Sequence, residues 1–338
     1  MTGTAGGGAP TLEMVAARAG VSRATVSRVV NGSPKVSPDV AEAVQRAIAD
    51  LNYVPNRAAR SLASRRTQAV ALVVPESAAR VFDDPFFASI VQGVALALAS
   101  TEYTLTMMIE SEVDPDKTRR YLLGGNVDGA LVVSHHTGDH SFAQLSRSLP
   151  LVFGGRPLDP AESSGYTVDV DNEHGAKTAA AHLVERGRRR IATIAGPQDM
   201  PPGVDRLHGF QSALTDASLP ADLVDFGDFT AASGAAATRR LLEREPRLDA
   251  VFAANDQMAM GALSALAEAG RTVPDDVAVV GFDDDRYAAT AVPPLTTVRQ
   301  PSTEMGAEMA RKLVRLVEGH EVEPETILTT ELVVRASS

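Results

Sequence analysis

The chain has 338 residues with a net charge of −11, and it contains no cysteine and no tryptophan. This length is more than one ordinary domain needs, and the lack of cysteine excludes disulfides, thiolate metal sites and a catalytic thiol. The sequence has no apolar run long enough to cross a membrane, and its N-terminus lacks the apolar centre of a signal peptide, so we expect a cytoplasmic protein.

Residues 1–10 are expected to form a disordered arm, and a helix-turn-helix is predicted to follow them. Thr11 can cap a first helix whose apolar side chains recur at i, i+3, i+4 and i+7, and Gly20 supplies the break after it. Ser22 can cap the second helix and Ser37 the third. The outer face of the second helix suits DNA, because arginine can donate to guanine, alanine can contact a thymine methyl and serine can reach phosphate. The DNA-binding residues predicted here are Ser22, Arg23, Ala24, Thr25, Ser27, Arg28 and Asn31.

The charge of the chain is unevenly distributed. Residues 1–68 carry nine basic and four acidic side chains, whereas residues 69–338 have a net charge of −16. A basic module on an acidic body is typical of a polyanion-binding domain attached to a sensor domain. A small helical domain with a solvated basic face would show the same charge.

In residues 69–338, apolar strand-like runs alternate with helical segments. Runs such as 69–74 and 277–281 are separated by helices such as 86–98 and 256–269. This alternation predicts parallel sheets with helices on both faces. Because the segment is long, we expect two lobes, with a break near residues 168–172.

Several short motifs occur in a characteristic order along the chain: Thr11-Leu12, Ala19-Gly20-Val21-Ser22, Thr25 to Asn31, Leu51-Asn52-Tyr53, Pro55-Asn56, Arg60-Ser61-Leu62-Ala63, Asn255 to Ala259 and Pro293 to Gln300. By these motifs the chain resembles the lactose/galactose repressor family of the LacI/GalR type from residue 11 to its C-terminus. The resemblance implies a helix-turn-helix domain at 11–55, a hinge helix and linker at 56–68, and a periplasmic-binding-protein-like core at 69–338. It further implies that the core chain crosses between its lobes three times. The lobes are expected at about 69–168 with 296–323, and at about 169–295 with 324–338.

The resemblance also implies a hinge helix that is ordered only on DNA and inserts Leu62 into the minor groove. Pro55 can begin such a helix, and alanines and arginines follow it. Since the helix is too short to persist alone, we expect two of them in a homodimer to bend a palindromic operator at a central CG step. Asn56 and Arg57 are further predicted DNA contacts. A merely flexible alanine-rich linker is the alternative.

Polar side chains follow the predicted core strands, where open α/β sheets bind their ligands. Carboxylates, amides and arginine suit hydroxyl groups, and aromatic rings can cover a sugar. We expect a sugar effector, with a purine as the alternative, because the candidate pocket has several aspartates and one clear arginine. The sequence Val74-Pro75-Glu76 departs from sugar-binding relatives, so the resemblance does not identify the sugar. By resemblance the effector contacts are Ser134, Arg206, Asn255, Asp283 and Gln300, and in a looser alignment Phe86, Phe87, Asp171 and Phe229.

The sequence therefore predicts a transcriptional regulator that is not an enzyme and needs no cofactor or metal. We interpret the histidines at 135, 136 and 140 as solvated loop residues. The expected protein is a repressor that binds double-stranded DNA as a homodimer and is released by its effector. A corepressor-type regulator uses the same parts, and a solute-binding protein shares the core.

Overall fold

The computed structural model describes residues 10–30, 33, 35–54, 66–109, 116–137, 142, 145–158 and 165–338. The chain divides into two compact units, Met1–Gln68 and Ala69–Ser338. Within the described ranges, no helix has the length and apolar character needed to cross a bilayer. The first unit contains the helices α1 (Leu12–Ala19), α2 (Arg23–Val30) and α3 (Pro38–Leu51).

The first unit is a helix-turn-helix whose turns follow from local sequence. The Thr11 hydroxyl accepts a hydrogen bond from the Met14 amide at 3.3 Å, and Gly20 ends α1 with a φ of 68°. The Ser22 hydroxyl accepts from the Thr25 amide at 3.1 Å, which starts α2. The small core consists of Val15, Ala16, Val26, Val44, Ala47 and Tyr53. Tyr53 therefore belongs to the core of the unit, although its motif neighbours in the sequence suggest contact with DNA.

The second unit contains two six-stranded sheets. Its elements in the first half are β1 (Ala69–Val74), α4 (Ala78–Asp83), α5 (Pro85–Leu98), β2 (Thr104–Ile109), α6 (Asp116–Leu123), β3 (Gly129–Val133), β4 (Leu151–Gly154), β5 (Tyr166–Val170), α7 (Asn172–Glu185), β6 (Ile191–Ala195) and α8 (Pro201–Asp216). The second half adds β7 (Val224–Phe226), α9 (Ala231–Arg244), β8 (Ala250–Ala253), α10 (Asp256–Glu268), β9 (Ala278–Asp283), a 3₁₀ turn (Ala288–Thr290), β10 (Thr296–Arg299), α11 (Ser302–Glu318), β11 (Glu325–Leu328) and β12 (Glu331–Val333).

The first sheet has the strand order β11-β5-β4-β3-β1-β2 and the second β12-β10-β9-β8-β6-β7. The strand pairs are parallel except for the antiparallel pair of β10 with β12. Both faces of β1 are buried, because Val70 and Leu72 pack into one apolar cluster and Ala71 and Val73 into another. We call the two halves built on these sheets the first and second lobes. The predicted fold class, a helical domain before a two-lobed parallel α/β core, is confirmed.

The sequence-based lobe limits differ from the observed ones at both late crossings. Strand β10, placed by the sequence in the first lobe, pairs with β9 in the second sheet. Strand β11, placed by the sequence in the second lobe, pairs with β5 in the first sheet. The chain crosses between the lobes after β5, after β10 and after β11. Local residue patterns indicate that these segments are strands, but their partners lie far away in the chain.

The first lobe depends on the close approach of α5 and α11. A Cβ atom added at Gly93 would lie 1.9 Å from the carbonyl oxygen of Thr303. We expect Gly93→Ala to lower the free energy of unfolding by about 2 kcal/mol, because the backbones of α5 and α11 must move apart to make room for the Cβ atom. The higher helix propensity of alanine offsets only part of this loss. Urea unfolding monitored by circular dichroism measures this loss. Gln92→Ala, which changes the exposed neighbouring residue, is the control and should change the free energy of unfolding by less than about 0.5 kcal/mol. Equal stability of both variants would contradict the close approach.

Candidate functional site

The outer face of α2 presents most of the predicted DNA-binding side chains. Ser22, Arg23, Ala24 and Arg28 are exposed, and Thr25 is half-buried. The Arg23 guanidinium lies 3.0 Å from Glu13, but both side chains are more than half exposed, so the pair can open readily when phosphate approaches. The predicted contacts that lie outside the described residues are Asn31, Asn56, Arg57 and Leu62. Ser27 is half-buried on the same helix.

A cavity of about 680 Å³, open in part to solvent, lies between the carboxyl ends of the two sheets. Both lobes contribute to it: Ser134 follows β3 in the first lobe, and Asn255 follows β8 in the second. This is the position at which open α/β sheets bind ligands. The predicted effector residues that line it are Phe86, Phe87, Ser134, Arg206, Phe229, Asn255, Asp283 and Gln300.

Asp171 is the predicted effector residue that does not line this cavity. It is exposed, and its carboxylate accepts a hydrogen bond from the His174 amide at 3.0 Å, which caps α7. Asp169 and Asn172 line the cavity instead, and their exposed fractions are 4% and 2%. Strand β5 ends at Val170, so the next residue is used to start the helix. The capping pattern at the start of α7 was the sequence signal for this role.

Arg206 is the buried centre of the cavity's polar network. Its Nε donates to Asn172 Oδ1 at 2.9 Å, and its Nη1 donates to the Ala254 carbonyl at 2.6 Å. The guanidinium also lies 3.5 Å from Asp283 and 3.7 Å from the centre of the Phe282 ring. Burial lowers the pKa of Arg206, while Asp283 and other nearby carboxylates oppose this change. Groups of the protein itself therefore occupy the donors of Arg206.

Asp283 ends β9 with a φ of 123°, a backbone conformation that residues other than glycine rarely adopt. Its Oδ1 accepts a hydrogen bond from the side-chain amide (Nε2) of Gln300 at 2.6 Å. Burial raises the pKa of Asp283 to about 8; Arg206 opposes the shift, and Asp84 and Asp285 add to it. Near neutral pH this carboxyl can thus accept or donate a hydrogen bond, which suits a hydroxyl group of a ligand.

Asn255 and Asp256 have separate roles. The Asn255 side chain caps α10 by accepting from the Met258 amide at 2.9 Å, and it donates to the Phe229 carbonyl at 3.0 Å. Asp256 is fully buried and accepts from the Thr297 hydroxyl at 2.6 Å and from the Asp285 amide at 2.8 Å. The N-cap of α10 is therefore Asn255, whereas Asp256 joins β10 to the segment after β9.

Aromatic and apolar side chains form the remaining walls. Phe86 and Phe87 contact each other edge to face with ring centres 5.4 Å apart. Phe87 also packs in the core of the first lobe, so it both lines the cavity and contributes to the core. Phe229 enters from the second lobe, and the Arg80 guanidinium lies 5.9 Å from its ring centre.

Sequence reasoning missed Arg80 and Asp84 as cavity residues. Arg80 pairs with Glu76 at 3.5 Å, and both side chains are largely buried, so this second arginine is also neutralised within the protein. Asp84 caps α5 by accepting from the Phe86 amide at 2.9 Å, and burial raises the pKa of its carboxyl. The capping position was visible in the sequence; its neighbours across the cleft were not. In the part of the chain that the structure describes, no cluster of three potential metal ligands is found.

Comparison with known proteins relates both units to gene regulators. The family model described as bacterial regulatory proteins of the lacI family matches residues 11–56, and that of the periplasmic binding protein-like domain matches residues 180–338. The HTH-type transcriptional regulator CelR of Thermobifida fusca is 51% identical over 333 residues, which cover 97% of this chain and 98% of CelR. The repressor PurR of Proteus mirabilis is 37% identical over 88% of this chain and 87% of its own.

Two solved structures extend the likeness to the fold. The complex of the transcriptional regulator CelR with cellobiose has a TM-score of 0.78 and 50% identity, and the match covers 97% of this chain and 100% of that one. A lac repressor dimer bound to operator and the anti-inducer ONPF has a TM-score of 0.84 and 30% identity over 97% and 98% of the two chains. The protein is a DNA-binding transcriptional regulator, not an enzyme, and belongs to the LacI family.

Proposed function

We propose that this regulator is a repressor which binds a palindromic operator as a homodimer and is released by cellobiose or a closely related β-linked disaccharide. The observation that carries the effector class is the cavity between the lobes, where carboxyl and amide groups lie next to aromatic rings. As its target is chromosomal DNA, the protein acts in the cytoplasm.

The charge balance of the cavity supports a neutral, polyhydroxylated effector. Asp84, Asp169 and Asp283 offer acceptors, and Asn172 and Gln300 add amide groups. Both cavity arginines already bond oxygen atoms of the protein, so their donors are occupied and less available to an anionic ligand. Vicinal hydroxyls match such a set because each hydroxyl donates one hydrogen bond and accepts others.

The apolar walls support a ring-shaped effector with flat apolar faces. Phe86 and Phe87 come from the first lobe and Phe229 from the second, so aromatic surfaces lie on both sides of the cavity. A pyranose ring has a face of C–H groups that packs on such surfaces. The structure of the CelR relative, which holds cellobiose, makes this disaccharide the first probe.

Exposed apolar side chains on the first lobe support a homodimer. Phe82 is 77%, Leu96 63% and Met107 37% exposed, and they lie on α4, α5 and the edge strand β2. Exposed apolar side chains on neighbouring elements are typical of a surface that a partner covers. A related lac repressor is a dimer on its operator, and two headpieces are needed for tight binding to a palindrome.

The experiment that tests the function is selection of bound sequences from a random DNA pool, followed by fluorescence anisotropy of the enriched site. We expect a palindrome, and we expect cellobiose to weaken its binding while glucose and hypoxanthine do not. Because coupling between two sites is reciprocal, operator DNA must weaken cellobiose binding by the same factor. Tighter operator binding with hypoxanthine would instead establish a purine corepressor, and no enriched sequence would overturn the proposal.

A further inference from the structure

His136 connects the two lobes at the mouth of the cleft. It follows β3 in the first lobe, and its Nδ1 lies 2.8 Å from Oδ2 of Asp199, which lies between β6 and α8 in the second lobe. Its Nε2 lies 3.3 Å from Oε1 of Glu76, which follows β1. The interpretation of His136 as a solvated loop residue is therefore wrong. The sequence does not reveal these contacts, because both partners of His136 are distant in the chain.

Backbone contacts strengthen this connection. The Thr137 amide donates to the Asp199 carbonyl oxygen at 2.8 Å, and the Thr137 hydroxyl donates to the same oxygen at 2.9 Å. The segments after β3 and before α8 are therefore held together by three hydrogen bonds that cross the cleft. Asp199 is 54% exposed and His136 33% exposed, so water can reach the contact when the lobes separate.

An imidazole can donate from both nitrogens only when it is protonated. The hydrogen bond to Glu76 is the main cause that raises the pKa of His136 to about 9; burial opposes the shift, and Asp199 adds to it. The charged groups around it are Glu76 and Asp199, with Arg80 of α4 behind Glu76 at 3.5 Å. From the second lobe, Asp228 also faces Arg80.

We propose that Glu76, His136 and Asp199 form a proton-dependent latch that holds the two lobes closed over the effector cavity. The part of this inference that concerns effector affinity rests on the proposed function, whereas the closure itself does not. Glu76 relates the latch to the cavity, since it also accepts a hydrogen bond from the cavity residue Ser134 at 2.7 Å and pairs with Arg80.

The direction of the pH effect follows from which contacts open. When the lobes separate, His136 loses Asp199 but keeps Glu76 of its own lobe, so its pKa falls below about 9 and stays above the ordinary value of 6.5. The closed form thus binds the proton more tightly. Stabilisation of closure is complete below the pKa of the open form and is lost as the pH rises through about 9. Among the described residues, Arg156 and Asp205 form another ion pair across the cleft at 2.5 Å; burial raises the pKa of Asp205 and Arg156 opposes this shift.

Distances between spin labels on the two lobes test the latch without any sugar. Because the chain has no cysteine, Lys117→Cys on α6 and Ala232→Cys on α9 create the two labelling sites, both exposed. Labelled protein is mixed with excess unlabelled protein so that only distances within one chain are measured. We expect the ratio of open to closed molecules to rise about tenfold between pH 7 and pH 9.5.

Two variants on opposite lobes separate the latch from a folding defect. His136→Gln and Asp199→Asn should each be more open at pH 7 and should lose the response to pH. His320→Gln removes an exposed histidine at the end of α11 and should behave like the parent protein. A pH-independent distance in the parent protein, or an unchanged response in both latch variants, would overturn the proposal.

Calorimetry with cellobiose then tests the latch and the proposed effector separately. The ratio of the Kd of His136→Gln to that of the parent protein should fall toward one as the pH rises from 7 to 9.5. Ionisation of Asp283, whose pKa is about 8, changes the Kd of both proteins, so its effect largely cancels in the ratio. No heat of binding, together with a pH-dependent distance, would refute cellobiose and support the latch. Binding with a constant ratio above one would refute the latch and support cellobiose.

Discussion

Asp283→Asn is expected to weaken cellobiose binding by about 100- to 1000-fold and to leave operator affinity unchanged. Above its pKa of about 8, the Asp283 carboxylate can accept charge-assisted hydrogen bonds from two ligand hydroxyls, each worth about 1.5 to 2 kcal/mol, so at about pH 9 their loss corresponds to this factor. Asparagine keeps the size of the side chain and tolerates the positive φ of 123°. Calorimetry with cellobiose and anisotropy with operator DNA measure the two affinities.

Asp284→Asn is the matched control, because Asp284 is the next residue and has the same chemistry outside the cavity. Its carboxylate pairs with Arg335 at 2.5 Å and with Arg299 at 2.8 Å. We expect this variant to lose stability and to keep its effector affinity. If both variants lost cellobiose binding equally, Asp283 would have a folding role and not a ligand role.

The pH dependence of stability gives a second measurement on Asp283→Asn. Because burial raises the pKa of this carboxyl from 3.8 to about 8, folding favours its protonated form, and the folded state is increasingly penalised as the pH rises from about 4 to 8. Asparagine cannot ionise. The difference in unfolding free energy, variant minus parent, should therefore increase over this range in urea titrations.

The sequence predicts well whatever depends on neighbours in the chain. Thr11, Gly20 and Ser22 set the limits of α1 and α2 through hydrogen bonds that span three or four residues. The alternation of buried strands and helices likewise needs only local hydrophobicity, and it predicts two parallel sheets. Most of the predicted cavity residues are brought together because the carboxyl ends of parallel strands meet at one edge.

The sequence fails where partners are distant. Strand β10 has the same apolar character in either sheet, and only its pairing with β9 assigns it to the second lobe. Asp169 and Asp171 are alike as residues, but the end of β5 between them directs one into the cavity and makes the other a helix cap. The contacts of His136 join positions separated by about 60 residues. No local pattern contains this information.

Arg28→Ala is expected to weaken operator binding by about 30-fold to 10⁴-fold and to relax the base preference at one position in each half-site. Arg28 is exposed in the last turn of α2 and is the arginine best suited to a base contact, since Arg23 pairs with Glu13 of α1. One lost base contact costs about 1 to 3 kcal/mol, and a homodimer loses two. Selection from a random DNA pool measures the preference, and anisotropy on the enriched site measures the affinity.

Arg46→Ala separates a base contact from a general loss of positive charge. Arg46 is also exposed, with its side chain 71% accessible, but it lies on α3 next to Glu42. We expect this variant to keep the base preference and to lose affinity only slightly and equally on all sequences, as for a distant charge. If Arg28→Ala also weakened all sequences equally, Arg28 would contact phosphate, and specificity would have to come from the other exposed side chains of α2.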